Sequence, residues 1–132
     1  MADRWTQEQA RAFALELPEA HEAAHHGTPD LRVRGKIFAS LPPGEDTLVI
    51  KTEPLALDTL VQLDPLTYRN TWGGRWVRVD LGRIDPAELR ELILDGYCLA
   101  APKMLAARVR GPDGAGVREG RPRRRNAPAD DT

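Results

Sequence analysis

Three sets of side chains have the types and spacing that chemistry could use. His21-Glu22-Ala23-Ala24-His25 matches the H-E-x-x-H zinc pattern letter for letter. That chemistry sets both histidines on one helix face as ligands, adds a third ligand, and places the glutamate beside a zinc-bound water. A helix here could run only from about Glu19 to His26, because Gly27 and Pro29 break it, and Glu45, a conceivable third ligand, lies in a Pro-Gly turn. The pattern is read as a chance match: no metal, no cofactor and no catalytic residue is assigned. Incidental metal capture by His21, His25 and His26 is the milder alternative, and His26 alone reads as a turn-capping histidine.

The second set is cationic. In Leu31–Leu41 the positions Leu31, Val33, Ile37, Ala39 and Leu41 are apolar while Arg32, Arg34 and Lys36 alternate with them, the period of a half-buried strand. Like charges along one strand face repel and gain nothing for the fold, which leaves room for a reason outside it. The third set repeats the pattern. Val77, Val79 and Leu81 share one face of a later strand, and Trp76, Arg78 and Asp80 share the other. Arginines can hold phosphate bidentately, and Trp76 or Phe38 could stack on a base. A solvated strand face, partly neutralised by Asp80, is the competing account.

The elements that must position these groups follow in order. Thr6 and Gln9 have the form of a capping box, and Ala10, Phe13, Ala14 and Leu17 make an apolar helical stripe ended by Pro18. Glu19 to His26 has short helical potential, and the long strand Leu31–Leu41 comes next. Pro42-Pro43-Gly44-Glu45-Asp46 turns the chain into a second strand, Thr47 to Lys51, antiparallel to the first. A helix over Glu53–Leu63 ends at Asp64-Pro65. A short strand over Thr67–Asn70, a tight turn at Trp72-Gly73-Gly74-Arg75 and a strand over Trp76–Leu81 form another hairpin. Asp85 as N-cap, with Pro86 and Glu88, opens the longest helix, whose buried stripe is Leu89, Leu92, Ile93, Gly96, Leu99 and Ala100. Pro102 ends it, and Lys103 to Arg108 adds a turn or two.

Composition bounds the function. The 132 residues suit one domain, residues 1–110, with a core large enough to need no metal or disulfide staple. Cys98 is the only cysteine, which fits a reducing cytoplasm; with no histidine placed near it, it is not read as a nucleophile. No apolar run is long enough to span a bilayer. Residues 111–132 lack periodicity and are read as a disordered Arg/Pro/Gly-rich tail. The tail holds five arginines and four acids, which leaves residues 1–110 at −2 of the chain's −1. Nucleic-acid binding would therefore need a local patch rather than bulk attraction. The tail's Arg121 to Arg125 run could grip phosphate weakly, although a solubilising role fits it better.

Several spaced motifs carry a family resemblance. His26-Gly27-x-Pro29-x-x-Arg32-Val33-x-Gly35-Lys36-Ile37-Phe38-Ala39, then Gly74-x-Trp76-Val77-Arg78-Val79-Asp80-Leu81, then Leu89-Arg90-Glu91-Leu92 and Ala101-Pro102-Lys103, resemble the MmcQ/YjbR family of small bacterial proteins, from the first helix to about Leu105. The resemblance implies an α+β fold of the frataxin-like (CyaY-like, double-wing) type, with helices packed on one face of a curved antiparallel sheet. It also implies DNA as partner. Carried onto this chain, the site is Arg32, Arg34, Lys36, Trp76, Arg78 and Lys103. Frataxin-like iron handling does not fit, because Glu8 and Glu16 are accompanied by Arg11 and the following strand is cationic. The expectation is a cytoplasmic, non-enzymatic, monomeric DNA-binding protein using its outer sheet face. A module that binds a small anionic ligand or a protein at the same face is the alternative.

Overall fold

The computed structural model describes residues 4–111. The expected disordered tail, Gly111 apart, lies outside the described residues. The elements are α1 (Gln7–Leu15), β1 (Ala20–His25), β2 (Thr28–Val33), β3 (Lys36–Ser40), β4 (Thr47–Lys51), α2 (Pro54–Leu63), β5 (Tyr68–Thr71), β6 (Trp76–Asp80), α3 (Pro86–Ala100) and α4 (Lys103–Arg110). The strands form one open antiparallel sheet in the order β1-β2-β3-β4-β6-β5. This is the expected α+β class.

Local chemistry sets the helix starts. The Thr6 hydroxyl accepts from the Gln9 N–H and the Gln9 side chain accepts from the Thr6 N–H, closing the capping box of α1. Asp85 caps α3 by accepting from the Ala87 N–H at 3.0 Å, with Pro86 at the first helical position. α3 lies across β3 and β4 and brings Leu89, Ile93 and Tyr97 into the core with Leu31, Val33, Phe38, Leu48, Ile50, Val77 and Val79. The approach is close because Gly96 has no side chain. A Cβ there would lie 2.9 Å from Ile50 Cγ2 and 3.0 Å from the Lys51 carbonyl oxygen. Tyr97, fully buried, donates its hydroxyl to the Pro18 carbonyl at 2.7 Å and meets Phe38 edge-on at 5.5 Å. α1 packs on α3, β1 and β2, and α4 packs on α3. No helix among the described residues is long and apolar enough to cross a membrane.

Four expectations are corrected. Residues 20–25 are strand β1, not a short helix, because His26 and Gly27, with φ of 52° and 81°, make a two-residue turn that pairs β1 with β2. The stretch 31–41 is not one strand. Arg34 and Gly35, with φ of 52° and 80°, turn the chain between Val33 and Lys36, which pair across the turn. Phe38 is an inward-facing core residue. Leu31 opposes Ala39 but Arg32 opposes Ile37, so Phe38 is the extra residue of a β-bulge, and it turns inward beside Ala39. In α3 the stripe runs through Tyr97 and the buried Cys98, while Leu99 is only half-buried.

Candidate nucleic-acid interface

Register decides which side chains share the face turned away from α3, since directly opposed residues of antiparallel strands point the same way. One row crosses nearly the whole sheet: Asp30, Ser40, Val49, Arg78 and Arg69. Its centre, Ser40 and Val49, is buried. Asp30 and Arg78 stand three strand spacings apart, about 14 Å. The expected single cationic face is therefore divided into two halves.

In the β1–β2–β3 half each arginine has a carboxylate. Arg32 is bidentate to Asp30, with 2.8 Å from Nε to Oδ1 and 3.1 Å from Nη2 to Oδ2, and Asp30 is almost fully buried. Arg34 leaves the sheet face at the β2–β3 turn and donates Nε and Nη2 to the two Glu19 oxygens. These hydrogen bonds raise the pKa of both guanidiniums and hold the Glu19 carboxyl below its ordinary value. Lys36 is exposed at the start of β3, opposite Val33.

The histidine pattern also falls in this half. On a strand, His21 and His25 share a face but stand about 13 Å apart. Glu22 points to the other face, opposite Leu31, where Arg11 of α1 binds it at 2.7 Å. The pattern lacks the single helix face that zinc chemistry needs. No group of three or more metal-ligating side chains suited to an ion occurs among the described residues.

The β4–β6–β5 half is built differently. Lys51 opposes Trp76, and its ammonium lies 5.1 Å from the Trp76 ring centroid. Thr71 opposes Trp76 from the other side, and Trp72 meets Trp76 at 5.4 Å with 64° between ring planes. Arg69 directly opposes Arg78. Arg78 reaches Glu45 at 2.6 Å in the β3–β4 connection and Thr47 at 3.3 Å, whereas neither Arg69 nor Lys51 forms an ion pair among the described residues. Asp80 shares the face, but its Oδ1 accepts from the Gly82 N–H at 2.9 Å and caps the following turn. Arg75 is exposed at the rim.

Trp72 has an unusual backbone. Its φ is 55°, followed by Gly73 at 87° and Gly74 at 100°, and the residue is 55% exposed. A left-handed conformation costs a non-glycine residue about 1–2 kcal/mol. The edge contact with Trp76 returns about 0.5–1.5 kcal/mol, so the two nearly cancel.

Of the six predicted site residues, only Trp76 and Arg78 are brought together. Lys103 opens α4 in the helical layer, on the opposite side of the sheet from them. Lys51, Arg69 and Trp72 lie beside these two and are not among the predicted residues. Each belongs to a strand or turn legible in the sequence, but only the pairing register puts them beside Trp76 and Arg78.

The YjbR family model matches residues 15–99. No curated protein matches the chain. Among solved structures, a Deinococcus radiodurans protein with a DUF419 domain is similar, with a TM-score of 0.68 and 24% identity, covering 87% of this chain and 93% of its own. A Pseudomonas syringae protein is similar at a TM-score of 0.58 and 16% identity, covering 73% of this chain and 99% of its own. Both share the fold.

Proposed function

The chain belongs to the YjbR family, and on that premise we propose that it is a non-enzymatic, cytoplasmic nucleic-acid-binding protein, with DNA as its ligand. The binding surface is the outer face of the β4–β6–β5 half. One observation carries the reading: Arg69 directly opposes Arg78 beside Lys51, on a face shared with two contacting tryptophans. Like charges directly opposed weaken a sheet, and phosphate oxygens would relieve that repulsion. The Arg78–Glu45 pair is solvent-exposed enough to contribute little to the fold, so phosphate can replace Glu45 at small cost.

Anisotropy of labelled single-stranded and duplex DNA, at low and near-physiological salt, tests this. Three cations on the face predict a log–log salt slope of about −2 for single strands and about −3 for duplex. Lys51→Ala combined with Arg69→Ala should remove most of the salt dependence. Absence of saturable binding at low salt would contradict the assignment.

A further inference from the structure

The fold gains little net from Trp72, because its backbone cost and its contact with Trp76 nearly cancel. Its φ of 55° lies in the left-handed region, two glycines follow it in the same region, and more than half of the residue's surface meets water. Strained residues with exposed aromatic surface concentrate where a ligand is gripped. The indole is also held in place: the Trp76 ring buttresses it at 5.4 Å, and Lys51 fixes Trp76 from the adjacent strand. A flat, fixed and open ring beside a cation matches a nucleotide, a planar base joined to an anionic phosphate. Within a duplex the base faces are already stacked on one another and closed to an indole, whereas in a single strand they are open.

We infer that Trp72 is a base-stacking platform and that the β4–β6–β5 face selects single-stranded nucleic acid, with Lys51 and Arg69 positioned for the flanking phosphates. This inference rests on the reading that this face binds nucleic acid. Asp80 is turned to the Gly82 N–H, and Glu45 is the carboxylate that a phosphate would displace from Arg78.

The test compares an oligothymidylate, the corresponding oligouridylate, an abasic oligomer of the same length and a duplex, each titrated into the full chain with intrinsic tryptophan fluorescence and anisotropy as readouts. Thymidine monophosphate serves as competitor. The oligothymidylate should quench tryptophan fluorescence and bind about tenfold or more tightly than the abasic oligomer. Trp72→Gly should bind both alike while melting no lower than the wild type, and Trp72→Phe should recover most of the difference. Binding of the oligothymidylate and the oligouridylate within a few-fold of each other is expected of stacking; a strong preference for the oligouridylate would overturn DNA as the ligand of this face.

If the abasic oligomer or the duplex binds as well as the oligothymidylate, the stacking inference falls while phosphate binding at this face stands. If none of the polymers binds at low salt, the nucleic-acid reading falls with it. Tight competition by the mononucleotide would overturn selection of a polymer in favour of a free nucleotide.

Discussion

In the β1–β2–β3 half of the sheet Arg32 is answered by Asp30 and Arg34 by Glu19, whereas in the β4–β6–β5 half Arg69 faces Arg78 and Lys51 faces an indole. Both halves offer cations on or beside the outer face. In the first, the guanidiniums serve the fold. Arg32 compensates a carboxylate that has almost no contact with water, and Arg34 ties the β2–β3 turn to the chain entering β1. In the second, two like charges, Arg69 and Arg78, stand directly opposed across the sheet. An arginine therefore points to a ligand where it has no carboxylate, as Arg69, or only an exposed and displaceable one, as Arg78 with Glu45, and that distinction depends on cross-strand register, which residue types alone do not reveal.

Phe38, which the sequence offers as stacking surface, is buried by the fold beneath the first half. Phe38→Ala should lower stability by about 3–5 kcal/mol in urea unfolding and leave nucleic-acid affinity of the folded fraction unchanged. A loss of affinity without a loss of stability would return Phe38 to the ligand face. Gly96 tests whether the two halves share one core at β3 and β4. Gly96→Ala adds a Cβ 2.9 Å from Ile50 Cγ2; overpacking outweighs the gain in helix propensity, for a net loss of about 1 kcal/mol. A gain in stability would mean that α3 stands off the sheet.

The arginines sharpen the contrast. Arg32→Ala should lower the melting temperature, because it leaves the buried Asp30 without its partner, and should not change the salt slope of DNA binding. Arg69→Ala should do the reverse, leaving the melting temperature unchanged or slightly raised and flattening the slope by about 1. Identical behaviour of the two variants would erase the distinction between the halves.

The smallest effect is electrostatic. The hydrogen bond from Arg34 holds the folded Glu19 carboxyl below its ordinary value of 4.5. Its contribution is present in full above that value and fades as pH falls through the lower folded value. Glu19→Gln should therefore be slightly less stable than the wild type near neutral pH, with the gap closing in acid. A gap that widens in acid would contradict the pairing.

Most of the fold was legible from local signals. The capping box at Thr6, the Asp85-Pro86 start of α3, and the alternation of Thr47 to Lys51 and Trp76 to Asp80 each act within a few residues, and each element appears where those signals put it. The failures share a cause. His26-Gly27 and Arg34-Gly35 form tight turns in left-handed backbone without the asparagine or aspartate before glycine that marks such a turn, so the glycines read as a stop and as an interior strand position. Without the second turn, Arg32, Arg34 and Lys36 line up as one row; with it, they scatter over a strand, a turn and the next strand. The bulge at Phe38 is equally hidden, because a bulge interrupts the alternation that periodicity relies on. Of the site, Trp76 and Arg78 were visible as an alternating pair, but Lys51, Arg69 and Trp72 gain their meaning from strands far away in sequence.

The most direct measurement is a titration of the isotopically labelled chain with a short oligothymidylate, followed by backbone amide and indole N–H resonances. Progressive shifts are expected at Lys51, Arg69, Thr71, Trp72, Trp76 and Arg78, with His21, Arg32 and Arg34 unmoved. Shifts concentrated on β1 and β2, or confined to the arginines of the C-terminal stretch, would contradict binding at the β4–β6–β5 face.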